Sequence, residues 1–226
     1  MLEGSLFNHY PERPENRAAT NAYLILCSAH KTASSFLDIF NSTQSTQAAT
    51  DNPTDEEQDL LRAMLIFASA GLDSMVKQLV SEALSCVIEQ NEGAESLFKQ
   101  FIERRLNRSE TQDNRFLANI LGDANPRKVL LDELVFSITS QSLQSVDQLL
   151  KTAAFFNIES RRICENPKSL RQVFQMRNQI SHEMDVDPNQ ASGNRRPRTK
   201  EHMIEATSEL FLVSKNFLKE VDSLLG

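Results

Sequence analysis

Residues 166–184 read NPKSLRQVFQMRNQISHEM, and the periodicity of this stretch decides what kind of fold the rest of the chain can build. Asn166 is a helix-capping residue, and Pro167 suits the first helical position because its missing N–H would have no partner there. Asp187-Pro188 and Gly193 mark the stop. At about 100° per residue, Leu170, Val173, Phe174, Ile180 and Met184 fall on one arc, and Arg177 lands in its middle. A guanidinium cannot be neutralised, so burying it without a partner is costly. Arg177 must therefore face an anion, an interface or a cleft. Asn178 and His182, four apart, lie on one flank of the arc within reach of Arg177. The three make a small cationic, hydrogen-bonding group.

The same helical period dominates the chain on either side. A helix is expected from near Pro14 to about Ser42, with Ala22, Ile25, Leu26, Ala29, Phe36, Leu37 and Phe40 inward. His30 within it is expected to be structural or solvated. The polar stretch 42–52 reads as a frayed end or a connection. Thr54-x-x-Glu57 after Pro53 is a capping box. It opens a long helix carrying Leu61, Leu65, Ala68, Leu72, Met75, Val76, Leu79, Ala83 and Val87, the expected centre of a bundle. Ala68, Ala70 and Gly71 allow another backbone to approach it closely. Asp73 is the acidic residue expected nearest the Arg177 face, and a solvated helix face is the plainer alternative for it.

Gly93 is read as ending or interrupting that helix, before a short one carrying Leu97, Phe98, Phe101 and Ile102. Residues 107–126 read as a loop-rich insertion with an apolar patch at Phe116, Leu117, Ile120 and Leu121. A further helix starts at Pro126 and breaks near Ser140. The last helix, from about Thr199 to Leu224, closes the bundle. Residues 1–13, with Leu6, Phe7 and Tyr10, form an arm laid on the surface or on a partner, and residues 14–226 form a single helical domain.

Composition agrees with an all-α class. Six glycines, no tryptophan and few alternating β-branched runs leave little material for a sheet. The apolar content of 40% and charged content of 24% in 226 residues suit a folded domain with a sizeable core. A net charge of −7 argues against general affinity for nucleic-acid phosphates, so any such contact needs a local basic patch. The densest candidate is the loop 185–198 and its edge, where Arg195, Arg196, Arg198 and Lys200 put four cations within six residues. That loop is equally readable as a solvated basic loop. Three scattered cysteines without a C-x-x-C pair fit reduced thiols in a cytoplasmic protein. No signal sequence or long apolar run points to a membrane.

Other motifs fail on inspection. His182-Glu183 begins a zinc-protease pattern, but Val186 stands where its second histidine belongs. Asp185-x-Asp187-x-Asn189 begins a calcium loop, but Gln190 and Arg196 replace its glycine and final glutamate. No metal or other cofactor is expected.

The segment RQVFQMRNQISHEMD resembles the signature of the HEPN domains, an arginine followed by four to six residues and a histidine, often with asparagine directly after the arginine. Two long N-terminal helices, the Asn166-capped helix, a polar loop and a closing helix follow the HEPN order over most of the chain. It looks closest to the bacterial RNase L-like members, the RiboL-PSP-HEPN group, and to defence-associated ribonucleases. The resemblance implies a metal-independent endoribonuclease in which the motifs of a homodimer meet in one composite site. It implies Arg177, Asn178 and His182 as the working groups; Asp73, Ser181 and Glu183 are candidate supporting residues beside them. It also implies a role in anti-phage defence or a toxin–antitoxin system, with an antitoxin or defence-system protein as partner. Some toxin members carry a tyrosine two residues after the histidine, where a nucleotidyltransferase attaches AMP. Met184 stands there in this chain, so that control is not expected.

The chemistry of RNA cleavage suits those residues. A 2′-hydroxyl attacks the adjacent phosphorus, so the site needs a proton carrier near neutrality and a fixed cation for the crowded phosphate. An imidazole, with an ordinary pKa of about 6.5, suits the first task, and an arginine bidentate to phosphate suits the second. The competing expectation is a non-catalytic HEPN-like scaffold that binds RNA, a nucleotide or a protein. Arg177 would then pair with Asp73 or Asp185, and His182 would cap the helix end.

Overall fold

The computed structural model describes residues 9–46, 53–107, 118, 120–188 and 193–226. Among them a 3-10 turn at Arg17–Ala19 leads into α1 (Thr20–Thr46), followed by α2 (Asp55–Gln90), α3 (Glu92–Leu106), α4 (Pro126–Thr139), α5 (Val146–Phe155), α6 (Ser160–Ile163), α7 (Pro167–Glu183) and α8 (Lys200–Leu224). The described residues contain no strand, only one isolated bridge between Val186 and Arg195. The fold is all-α. Leu6, Phe7, Phe116 and Leu117 lie outside the described residues.

The helix starts follow their caps. Thr54 Oγ1 accepts the Glu57 N–H at 3.3 Å while Glu57 Oε2 accepts the Thr54 N–H at 2.7 Å, completing the capping box. Asp55, Glu56 and Glu57 set negative charge on the first turn, where the helix dipole favours it. Asn91, Asn125, Ser145, Asn166 and Thr199 each cap their helix with a side-chain oxygen. The expected break near Ser140 separates α4 from α5.

Helix formation begins a turn later than Pro14 suggests, and α8 is the reason. The backbone N–H groups of Glu15 and Asn16 donate to the Asp222 carboxylate at 2.9 and 3.0 Å, which holds them out of a helical turn. Nearby, Tyr10 sets its ring edge-on to His30, with centroids 5.0 Å apart, and His30 lies 4.8 Å from Phe211 of α8. Buried His30 thus joins α1, α8 and residue 10 of the arm.

The core is organised around α2, which packs against α1, α3, α4, α7 and α8. Among the described residues α2 alone is long and apolar enough to cross a membrane, with a mean hydropathy of 1.3 in its most apolar window. Its burial by five other helices accounts for that composition. Gly71 lets α1 come close, since a Cβ there would stand 2.2 Å from the Ala29 Cβ. The expected break near Gly93 is present, but it falls two residues earlier. α2 ends at Gln90, Asn91 caps α3, and Gly93 lies inside the first turn of α3. A Cβ at Gly93 would collide with the Asn157 side chain, whose Nδ2 donates to Asn91 Oδ1 at 3.0 Å.

Candidate functional site

Helix α7 lays Leu170, Val173, Phe174, Met176 and Ile180 against the core. Met184 leaves the expected arc. As the C-cap it adopts a left-handed backbone, φ 52°, and turns out to be 67% exposed. Arg177 stays on the arc and is half-buried between the core and its exposed neighbours Asn178 and His182.

The three side chains come together. Arg177 Nη1 donates to Asn178 Oδ1 at 3.0 Å and lies 3.2 Å from His182 Nε2. A guanidinium only donates, so His182 Nε2 is the acceptor and the ring proton sits on Nδ1. Arg177 Nε is buried and has no hydrogen-bond partner among the described residues. Burial pushes the pKa of this guanidinium below its ordinary value, and the charge of Asp73 works against that shift.

Asp73 is near but not an ion-pair partner of Arg177. Its Oδ1 accepts the Leu143 N–H at 2.7 Å and its Oδ2 lies 2.8 Å from Lys77 Nζ. It therefore pins the turn between α4 and α5 to α2, and it is mostly buried rather than a solvated helix face. Ser181 is exposed, and no contact joins it to the trio among the described residues. Glu183 is exposed and accepts from Arg196 Nη2 at 3.2 Å. Beside Asn178 a cleft of about 260 Å³ opens between α7 and the start of α5, where Gln144, Ser145 and Asp147 form the far wall.

The basic segment after α7 is turned inward. Asp185, fully buried, accepts from Arg62 Nε at 2.9 Å and from Arg198 Nε at 2.9 Å and Nη2 as well. Burial alone would raise its carboxyl pKa, but the hydrogen bonds and charges of Arg198 and Arg62 outweigh burial and hold it below the ordinary value. Arg195 pairs with Asp59 at 2.6 Å, and Arg62 Nη2 donates to the Arg196 carbonyl at 3.0 Å. Three of the four cations thus face carboxylates, and only Lys200, at the start of α8, shows no ion pair among the described residues. Arg198 Nη2 also reaches Gln179 Oε1 at 3.0 Å, which ties this knot back to α7. The knot holds the helix end that carries His182.

Arg62 was not among the residues singled out from sequence. Its signal was available: at helical spacing it shares the face of Ser69 and Asp73 on an otherwise apolar helix. Its partner Asp185, 123 residues away, could not be read from spacing. Among the described residues no three His, Cys, Asp or Glu side chains converge as a metal-binding set.

No curated protein and no solved structure is significantly similar to the chain. The model of one family, RiboL-PSP-HEPN, matches residues 31–225, which takes in the later part of α1, all of α2, the Arg177–His182 segment and the closing helix. That match covers most of the chain, and this chain belongs to the RiboL-PSP-HEPN family.

Proposed function

We propose that the protein is a cytoplasmic, metal-independent endoribonuclease whose site is completed by a second copy of the chain. The observation that carries this reading is the buried Nε of Arg177, which lacks an acceptor while its Nη1 touches an imidazole. A buried donor without a partner costs about 1–3 kcal/mol, and a phosphate oxygen would satisfy it. The scaffold alternative needs Arg177 paired with Asp73 or Asp185. Both carboxylates are engaged elsewhere.

In the proposed reaction the phosphodiester displaces His182 Nε2 and Asn178 from Arg177 and takes the guanidinium as its counter-ion. The freed Nε2 accepts the proton of the 2′-hydroxyl as that oxygen bonds to phosphorus. The bond from phosphorus to the 5′ oxygen breaks, and the second copy's imidazole returns a proton to that oxygen. The products are a 2′,3′-cyclic phosphate and a 5′-hydroxyl end. Asn178 orients the imidazole or the phosphate. An exposed strip of α2 adjoins Asp73, with the small side chains of Ala70 and Ser74 over which a second helix can approach and the exposed Phe67 ring at its end. A place in anti-phage defence or a toxin–antitoxin pair is suggested by the family alone.

The test is cleavage of a single-stranded RNA in EDTA by wild type and by His182→Ala. Wild type should yield cyclic phosphate ends, and the variant should lose at least a hundredfold in rate. Equal activity in the two, or none in either, sinks the proposal.

A further inference from the structure

On the far side of the turn that Asp73 pins lies a second cleft, of about 170 Å³, bounded by α3, α4 and α5. Its wall combines Arg104 and Arg105 of α3, Lys151 of α5, and the half-buried rings of Phe101 and Phe155. The rings meet edge to face with centroids 6.4 Å apart. Glu133 pairs with Arg105 at 3.2 Å. Arg104 reaches only Gln100, at 3.2 Å, and neither Arg104 nor Lys151 has a carboxylate within ion-pair distance among the described residues.

The end of α3 favours cations, which accounts in part for Arg104 and Arg105. It does not account for Lys151, which comes from another helix, or for two phenyl rings left half-open beside them. In a chain with a net charge of −7, a cleft with this excess of positive charge selects an anion. Aromatic faces beside cations and amides select an anion that carries a planar ring.

The two clefts share one divider. Gln141 and Leu143 line the second cleft, while Gln144 and Ser145 line the one beside Asn178. A strand leaving Arg177 past Asn178 would have to cross this turn to reach Lys151. We infer that the cleft between α3, α4 and α5 is a subsite for a nucleotide of the RNA strand away from the scissile bond, its base against Phe155 and Phe101 and its phosphate on Arg104 and Lys151. The cleavage reading supplies only the identity of the strand, and the binding site stands on its own geometry.

The test uses full-length His182→Ala protein and a fluorescein-labelled single-stranded RNA decamer, with binding read by fluorescence anisotropy across a salt series. Adding Arg104→Glu and Lys151→Glu together should weaken binding at least tenfold and flatten the log–log salt slope by about 1.4, the value for two lost phosphate contacts on a single strand. Phe155→Leu should weaken binding without changing that slope. Should the double charge reversal fail to fold, Arg104→Gln with Lys151→Gln carries the same expectation. Unchanged affinity in a folded variant overturns the subsite, as does a cleft that binds AMP but no RNA. In a parallel cleavage assay on the His182-intact chain, a KM indifferent to Arg104 and Lys151 refutes the subsite and leaves the nuclease standing. RNA binding that depends on both residues, in a wild-type protein that cleaves nothing, refutes the nuclease and leaves the subsite.

Discussion

Arg177 Nη1 lies 3.2 Å from His182 Nε2, so the fixed cation and the imidazole of one helix are already in contact before any substrate arrives. The geometry ties the behaviour of each residue to the other. Arg177→Lys keeps a charge but loses the planar fork that can take two phosphate oxygens at once. Cleavage by this variant should fall at least tenfold in kcat while its circular dichroism and melting temperature stay near wild type. Full activity would show that only charge matters at position 177.

Asp185 is the buried anion that two arginines share. Asp185→Asn removes the charge, leaving Arg198 without its carboxylate and Arg62 with only Asp59 and Asp55, a loss of about 3–5 kcal/mol by analogy with broken buried pairs. Urea unfolding followed by far-ultraviolet circular dichroism should show this as a lower midpoint with an unchanged slope.

The same knot sets an acid limit. The carboxyl groups of Asp185 and Asp59 both titrate below their ordinary values in the folded chain, Asp59 chiefly through its hydrogen bond from Arg195. A depressed folded pKa means that the unfolded chain takes up the proton first. The stability from these groups is therefore fully present above the unfolded value of about 3.9 and disappears as pH falls through the lower folded values. Urea midpoints between neutrality and pH 5 should be flat with respect to these groups and should drop steeply below about pH 4. Asp185→Asn should drop less steeply there, and an identical acid limb would remove Asp185 from the account.

Gly71 and Ala29 meet where α2 crosses α1, with no room for another methyl group. Gly71→Ala gains helix propensity of about 1 kcal/mol but overpacks the crossing by about 1–3 kcal/mol. Net destabilisation is expected, and Ala29→Gly in the same chain should recover part of it as a favourable coupling in a double-mutant cycle. Additive effects would place the strain elsewhere.

Thr54→Ala removes one half of the capping box and should cost about 1 kcal/mol. Thr54→Ser keeps the acceptor and should cost little. Thermal melts of the two variants decide between a cap and an incidental contact.

Local signals carried most of the fold. Thr54, Asn166-Pro167 and Thr199 act on residues within one turn of themselves, so the sequence displays cause and effect side by side. Gly93 points to the break two residues late for a related reason: glycine usually signals a break, whereas here it clears space for Asn157, a neighbour that no window around residue 93 contains. The arginines at 195–198 look like a solvated loop until Asp59 and Arg62 are brought across from the start of α2. The grouping of Arg177, Asn178 and His182 was visible because helical geometry brings them together without help from the rest of the chain. The charges that position them come from elsewhere.

The Arg62–Asp185–Arg198 contact also has a consequence for synthesis. Its first member is made 123 residues before the second, and the third follows 13 residues after that. A ribosome that has released both long helices has yet to deliver the anion or the last cation. The helix end bearing His182 is therefore fastened only after Arg198 has followed, well after both long helices have been made.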